Sequence, residues 1–194
     1  MNNPPESISE GNTAQLLDPL SPSIKAATAM TYFYNNQYKE ALEEADKALK
    51  IDSGFVPAHK VKRWIYQVMG NYEAAMNAFL RERSASGGDN LPGWYVVQTQ
   101  VEALGEKRVE AIEKFNRAIS DNSVKNNPQA YAYEIALAFV AFGDKQKAVD
   151  WLEKAEAANN HSFNFIEVDP RLDSLHAEPR FEALSKKLRT PRNK

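Results

Sequence analysis

Hydrophobic residues recur with a helical period between residues 22 and 158, most clearly from Ala130 to Ala158. At the start of that stretch, apolar side chains fall at i, i+3, i+4 and i+7, on one face of a helix. Gly143-Asp144 interrupts the pattern. Glycine accepts the left-handed conformation that ends a helix, and Asp accepts hydrogen bonds from the free N–H groups that begin the next one. A second apolar stripe follows, so the pattern predicts a helical hairpin.

Similar hairpin patterns occur earlier in the chain. One alanine marks the corresponding place in each second helix, at Ala41, Ala75, Ala111 and Ala148, and successive alanines are 34, 36 and 37 residues apart. A hairpin of this size cannot bury both of its faces alone. The repetition therefore predicts copies that stack side by side around a continuous core.

These copies resemble the tetratricopeptide repeat (TPR), a helix–turn–helix unit of about 34 residues. The second helix of that family has a small residue, an aromatic four positions later, and a further small residue. Ala111, Phe115 and Ala118 match this signature, and Ala75 with Phe79 match it in part. The resemblance implies an all-α, right-handed superhelical solenoid of about four hairpins.

Composition divides the chain into three segments. Residues 1–18 are polar and are expected to be mostly flexible. Residues 19–158 are expected to form the repeat array, and residues 159–194 a short helical cap and tail that cover its end. Pro170 and Pro179 are placed at the first positions of cap helices. The four repeats are expected at about 22–55, 56–88, 91–124 and 129–158.

Repeat two departs from the family pattern. Arg63 stands where a small residue is expected, and Glu82 replaces the last small residue of the second helix. A long charged side chain does not suit a close contact between two helix backbones. We therefore expect the first helix to rotate and to bury Val61, Ile65 and Val68 instead.

Composition narrows the function. The chain has 194 residues, with 24 basic and 26 acidic side chains, and this balance argues against nucleic-acid binding. The absence of cysteine excludes disulfides, thiolate catalysis and cysteine-ligated metals. No apolar run approaches the roughly 20 residues that span a bilayer, and no secretory signal pattern begins the chain. We expect a cytoplasmic protein without membrane contact, either complete or a fragment of a longer one.

The residues offer no clear chemistry, so no catalytic residue, metal or cofactor is predicted. The three histidines form no paired i, i+4 arrangement. Gly87-Gly88 lacks the Lys and Ser/Thr of a phosphate-binding loop. Four carboxylates near the cap prolines permit a metal site, but helix capping is the preferred interpretation. The histidines are His59, His161 and His176, and the carboxylates are Glu167, Asp169, Asp173 and Glu178.

The resemblance implies a binding surface. In TPR proteins the first helix of each repeat lines a concave groove, and exposed aromatic or apolar residues there bind extended or helical peptides. The turn at residues 105–108 is taken to be one residue longer than in the other repeats. With that register the candidate groove residues are Met30, Phe33, Lys60, Trp64, Gln67, Tyr95, Thr99, Tyr133 and Leu137. The alternative is that Phe33 and Trp64 belong to the core, or that the cap or the N-terminal tail covers the groove.

The carboxylate clamp of chaperone-binding TPR proteins is not expected, because its Lys, Arg and Asn residues are replaced here. A partner would therefore be apolar or mixed in character. The matching positions are Ala26, Met30, Val61, Pro92 and Val96.

The sequence thus predicts a non-enzymatic scaffold that binds another protein or peptide. Three alternatives stay open: a regulatory domain of a larger bacterial signalling or transcription-regulator protein, a self-association module such as a homodimer, and an enzyme with a dispersed site. The regulatory alternative rests on LLDPLSPSI and IEVDPRLDSLHAEPRFEALSKKL, which resemble phrases that flank bacterial TPR arrays.

Overall fold

The computed structural model describes residues 4–87, 92–105 and 107–189, and every regular element in these ranges is a helix. The chain divides into two compact units, Met1–Asp89 and Asn90–Lys194. Within the described part, no helix is both long enough and apolar enough to cross a bilayer. The all-α fold class is confirmed.

The first unit contains two helical hairpins preceded by one further helix. Helices α2 and α3 form the first hairpin, α4 and α5 form the second, and α3 packs against α4. The bounds are α1 Pro4–Leu17, α2 Pro22–Tyr34, α3 Tyr38–Ile51, α4 Val56–Val68 and α5 Tyr72–Ala85.

Residues 4–17 are helical, whereas the sequence led us to expect a mostly flexible segment. Helix α1 packs on α2 through a close approach at Gly11, where an added Cβ would lie 2.9 Å from Thr28 Oγ1. Lys25 Nζ also donates to Gln15 Oε1 at 2.8 Å. Composition does not predict the packing of α1 on α2, because this contact depends on the small size of Gly11 and on the Gln15 amide rather than on apolar side chains.

The core of the first unit consists of small residues at the helix contacts and aromatic rings between them. Ala29, Ala41 and Ala45 are fully buried, and the Phe33 and Trp64 ring centroids lie 5.7 Å apart. Alanines at these places allow the helix backbones to approach closely, and the larger aromatic rings fill the space that remains between the helices.

Arg63 is buried between α4 and α5, so the expected rotation of α4 away from it is wrong. Its Nε donates to Glu82 Oε2 at 2.8 Å, and the two side chains are 1% and 3% exposed. Ala29 and Ala48 hold the corresponding places in the first hairpin and are fully buried. The ion pair of the second hairpin therefore occupies two positions that carry buried alanines in the first hairpin. Val61 and Ile65 are buried as well.

The second unit also contains two hairpins, followed by a segment of short helices. Helices α6 and α7 form one hairpin, α9 and α10 the other, and α6 packs against α9. The α-helices are α6 Pro92–Leu104, α7 Arg108–Ser120, α8 Asn122–Asn126, α9 Ala132–Ala141, α10 Lys145–Ala157 and α11 Pro179–Arg189. The 3-10 helices are Pro128–Tyr131, His161–Phe165 and Pro170–Leu175.

Capping residues set the turn of the last hairpin. Gly143 has a φ of 75°, which ends α9 in the left-handed conformation that glycine tolerates. The Asp144 side chain accepts a hydrogen bond from the Lys147 N–H at 3.1 Å, so the predicted cap is confirmed. The Asn71 side chain similarly accepts from the Ala74 N–H at the start of α5.

The segment after α10 packs on the last hairpin. Pro170 and Pro179 each begin a helix, as predicted. The Asp169 side chain caps the 3-10 helix through the Arg171 N–H at 3.0 Å, in agreement with the capping interpretation of this carboxylate. Apolar side chains of the segment join the core of the hairpin, namely Phe163, Ile166, Leu172, Leu175, Phe181 and Leu184.

Candidate partner-binding surface

The nine candidate groove residues differ sharply in exposure. Six of them are buried, so the expectation that they are exposed is wrong: Phe33, Trp64, Gln67, Thr99, Tyr133 and Leu137. Met30 and Lys60 are half-buried, and Tyr95 is 46% exposed. Whether the accessible three bind a partner stays a prediction.

In the first unit, the predicted groove aromatics belong to the core. Phe33 and Trp64 pack against each other, and the Lys60 ammonium lies 5.1 Å from the centre of the Trp64 ring. Lys60 therefore lies at the edge of the aromatic cluster. For Phe33 and Trp64 the alternative core interpretation is the correct one.

In repeat three, the expected register is wrong by one residue. Helix α6 ends at Leu104 and α7 begins at Arg108, which is the same separation as in the other three hairpins. Counting back from Ala111, Val96 and Gln100 hold the groove places of this repeat, and both are buried. Thr99 instead holds the place of Arg63 at the helix contact.

In repeat four, the cap covers the predicted groove residues. Tyr133 and Leu137 pack in one cluster with the apolar side chains of the cap. The Tyr133 hydroxyl donates to Asp169 Oδ2 at 2.7 Å, and Arg171 Nε donates to Asp169 Oδ1 at 2.9 Å. Burial works to lower the pKa of Arg171, but the charge and hydrogen bonds of Asp169 outweigh it and raise that pKa. Arg171 thus stays charged.

The second unit has a cavity of about 440 Å³ between α6 and α7. This volume lies within the range of roughly 300–1,000 Å³ that is typical of ligand pockets. Two of the candidate residues, Tyr95 and Thr99, line it. The lining side chains are Tyr95, Gln98, Thr99, Lys114, Arg117, Ala118 and Asp121. We call this space the α6–α7 cavity.

Three charged side chains line the α6–α7 cavity, namely Lys114, Arg117 and Asp121. Glu102 is nearly buried, accepts from Gln98 Nε2 at 2.8 Å, and pairs with Lys114 Nζ at 3.0 Å. Arg117 is different, because its side chain is 80% exposed and its nearest described acidic partner, Glu113, is 3.8 Å away. The Arg117 guanidinium is thus the more available cation.

The histidines lie outside this cavity. His59 Nε2 is 2.9 Å from the Ser53 carbonyl oxygen, His161 contacts the Phe165 ring, and His176 contacts the Phe181 ring. Within the described ranges, no group of three or more His, Asp or Glu side chains is arranged to hold a metal ion. The lining side chains of the α6–α7 cavity are suited to non-covalent contact, through an aromatic ring, polar groups, two cations and one carboxylate.

Comparison with solved structures identifies the fold. The chain is similar to the crystal structure of YrrB, described as a TPR protein with an unusual peptide-binding site, with a TM-score of 0.50. The match covers 91% of this chain and 97% of that chain at 17% sequence identity. The chain has the fold of a TPR protein. No family model and no curated protein matches the sequence.

Proposed function

We propose that this TPR-type chain is a non-enzymatic interaction module that binds a peptide or a segment of another protein. The α6–α7 cavity supports the proposal most directly, because it places an exposed aromatic ring beside polar and cationic side chains. Convergent groups of this kind around a concave site are typical of recognition. YrrB, which has a similar fold, is described as having an unusual peptide-binding site.

The cavity is a better candidate than the groove predicted from the sequence. Most of the predicted groove residues in repeats one, two and four are buried, and the Tyr133 hydroxyl already donates a hydrogen bond to Asp169. A partner would have to displace well-packed residues there, at a cost of several kcal/mol for each large side chain that leaves the core. Tyr95 is accessible without such a change.

Affinity capture with matched variants tests this function. The bait is the full chain, compared with Tyr95→Ala and with Val109→Ala, which alters an exposed residue of α7 outside the cavity lining. We expect a protein that the wild type and the Val109 variant retain and that the Tyr95 variant loses. Equal retention by all three would contradict binding at the cavity.

Self-association is a second candidate function, and one feature of α1 favours it. Leu16 and Leu17 are each 84% exposed, and Leu20 lies nearby with most of its surface exposed. Three exposed leucines within a stretch of five residues can be buried in a contact between copies. Light scattering at several concentrations tests this: we expect a mass that rises with concentration, and that does not rise in Leu16→Glu/Leu17→Glu. A constant monomer mass would contradict it.

A further inference from the structure

Most polar groups of the α6–α7 cavity already have partners in the second unit. Gln98 and Lys114 both bind Glu102, and Thr99 Oγ1 donates to the Val96 carbonyl oxygen at 2.9 Å. These side chains therefore shape the wall of the cavity. A ligand that competed for them would break existing hydrogen bonds and gain little.

Arg117 is the exception among the cationic side chains. Its contact with Glu113 is longer than a hydrogen bond, and Glu113 is itself 67% exposed. An exposed pair of this kind contributes between roughly 0 and 1 kcal/mol, so a ligand displaces it at small cost. The planar guanidinium can then donate two parallel hydrogen bonds to a carboxylate.

Tyr95 supplies the apolar part of the same surface. Its ring lines the cavity and is 46% exposed. An aromatic ring buries a large area on contact and loses little conformational entropy, because it has few rotatable bonds. Tyr95 and Arg117 together offer an apolar contact and a cation within one cavity.

In repeat two, the face of α4 that corresponds to the Gln98 side of α6 contacts a neighbouring helix of the first unit. Lys62 holds the place of Gln98, since both lie thirteen residues before the marker alanine of their repeat. Lys62 Nζ binds Asp46 Oδ1 of α3 at 2.6 Å. The neighbour on that face is therefore an amphipathic segment with an acidic side chain.

We infer that the α6–α7 cavity recognises an acidic residue beside an apolar residue in a peptide segment of a partner protein. The carboxylate accepts hydrogen bonds from Arg117, and the apolar side chain contacts the ring of Tyr95. This inference rests on the proposed interaction function and adds the chemistry of the partner.

Fluorescence anisotropy of the full chain with three synthetic peptides tests the inference. The peptides share an amphipathic sequence and differ at one position beside a leucine, which is Asp, Asn or Lys. We expect the Asp peptide to bind about tenfold more tightly than the Asn peptide, since a charge-assisted hydrogen bond is roughly twice as strong as a neutral one. Added salt should lower the affinity for the Asp peptide more than the affinity for the other two peptides. Equal affinities of the Asp and Asn peptides would overturn the inference.

Variants identify the residues that give this preference. Arg117→Ala should lower the affinity for the Asp peptide to that of the Asn peptide, and Arg117→Lys should restore part of the difference. Arg81→Ala removes an exposed arginine of α5 and serves as the matched control, with no change expected. An Arg117 variant that keeps the full preference for Asp would contradict the assigned contact.

Variants of Tyr95 distinguish the inferred preference for an acidic residue from the proposed interaction function. Tyr95→Phe should bind like the wild type, and Tyr95→Ala should lose all three peptides, with circular dichroism confirming that each variant is folded. If Tyr95→Ala loses all three peptides but the wild type binds them equally, the charge inference fails and the interaction function stands. If no peptide binds, the inference fails, and affinity capture tests the proposed function independently.

Discussion

Arg63 on α4 donates a hydrogen bond to Glu82 on α5 at 2.8 Å, and both side chains are almost completely buried. The corresponding residues of the first hairpin are Ala29 and Ala48. Two departures from the repeat pattern at facing positions therefore compensate for each other. The two helices pack against each other in both hairpins, and the second hairpin has an ion pair at positions where the first has alanines.

This compensation predicts non-additive mutations. Arg63→Ala leaves the Glu82 carboxylate buried without its partner and should lower the free energy of unfolding by about 3–5 kcal/mol. Arg63→Ala/Glu82→Ala recreates the alanine pair of the first hairpin and should recover most of that loss, as urea denaturation would measure. A double variant whose loss equals the sum of the single losses would contradict the compensation.

Helix α1 should depend on the small size of Gly11. Gly11→Leu places a side chain where even a Cβ would lie 2.9 Å from Thr28 Oγ1, so we expect α1 to separate from α2. Hydrogen exchange of the amides in residues 4–17 should then become faster. Ser9→Leu is the matched control, since Ser9 is exposed on the same helix, and its exchange should stay as in the wild type. Unchanged protection in Gly11→Leu would show that the close approach is not needed.

The network of Tyr133, Asp169 and Arg171 should attach the cap to the last hairpin. Tyr133→Phe removes one donor to the Asp169 carboxylate and should cost about 1.5–3 kcal/mol in thermal denaturation, as is typical of hydrogen bonds to charged groups. Asp169→Ala leaves the buried Arg171 cation without the carboxylate that binds it and should cost more, about 3–5 kcal/mol. Equally small losses of stability in the two variants would mean that the network does not hold the cap.

The cap of α10 should depend on pH. The hydrogen bonds from the Lys147 side chain, and next from its backbone N–H, lower the pKa of Asp144 below its ordinary 3.8. A lowered pKa in the folded chain means that the ionised cap stabilises α10 above about pH 3.8 and that this contribution is lost as the pH falls through the lowered pKa.

Two Asp144 variants test this pH dependence. Asp144→Ala should cost about 1 kcal/mol near pH 7, and Asp144→Asn should keep most of the cap because asparagine accepts the same bond. Thermal denaturation at a series of pH values should show the wild type losing its advantage over Asp144→Asn in acid. A constant difference between those two proteins would contradict the role of the charge.

Structural features that depend on local patterns could be predicted from the sequence. Periodic apolar residues and the four marker alanines predicted the hairpins, and Gly143 with Asp144 predicted the turn between α9 and α10. Pro170 and Pro179 marked the starts of two cap helices. In each case the physical cause lies within a few residues of the signal.

Features that depend on distant contacts could not be predicted in the same way. Tyr133 meets Asp169 across 36 residues, so its burial by the cap has no local signal. The sequence pattern places Thr99 one residue out of register, because it predicts a turn before Arg108 that is one residue too long. A shift of one residue moves a helical position by about 100° around the axis. The α6–α7 cavity depends on how two helices pack side by side, which the periodicity does not specify.

Site-specific photo-crosslinking tests the central claim most directly. A photoreactive phenylalanine analogue is placed at position 95 in the full chain, and at position 109 in a control, because Val109 is also exposed but does not line the cavity. Both proteins are irradiated in a lysate of the source organism. We predict that one partner protein is crosslinked at position 95 and not at position 109, and that the acidic probe peptide prevents it. The same crosslinks at both positions, or none at position 95, would contradict binding at the α6–α7 cavity.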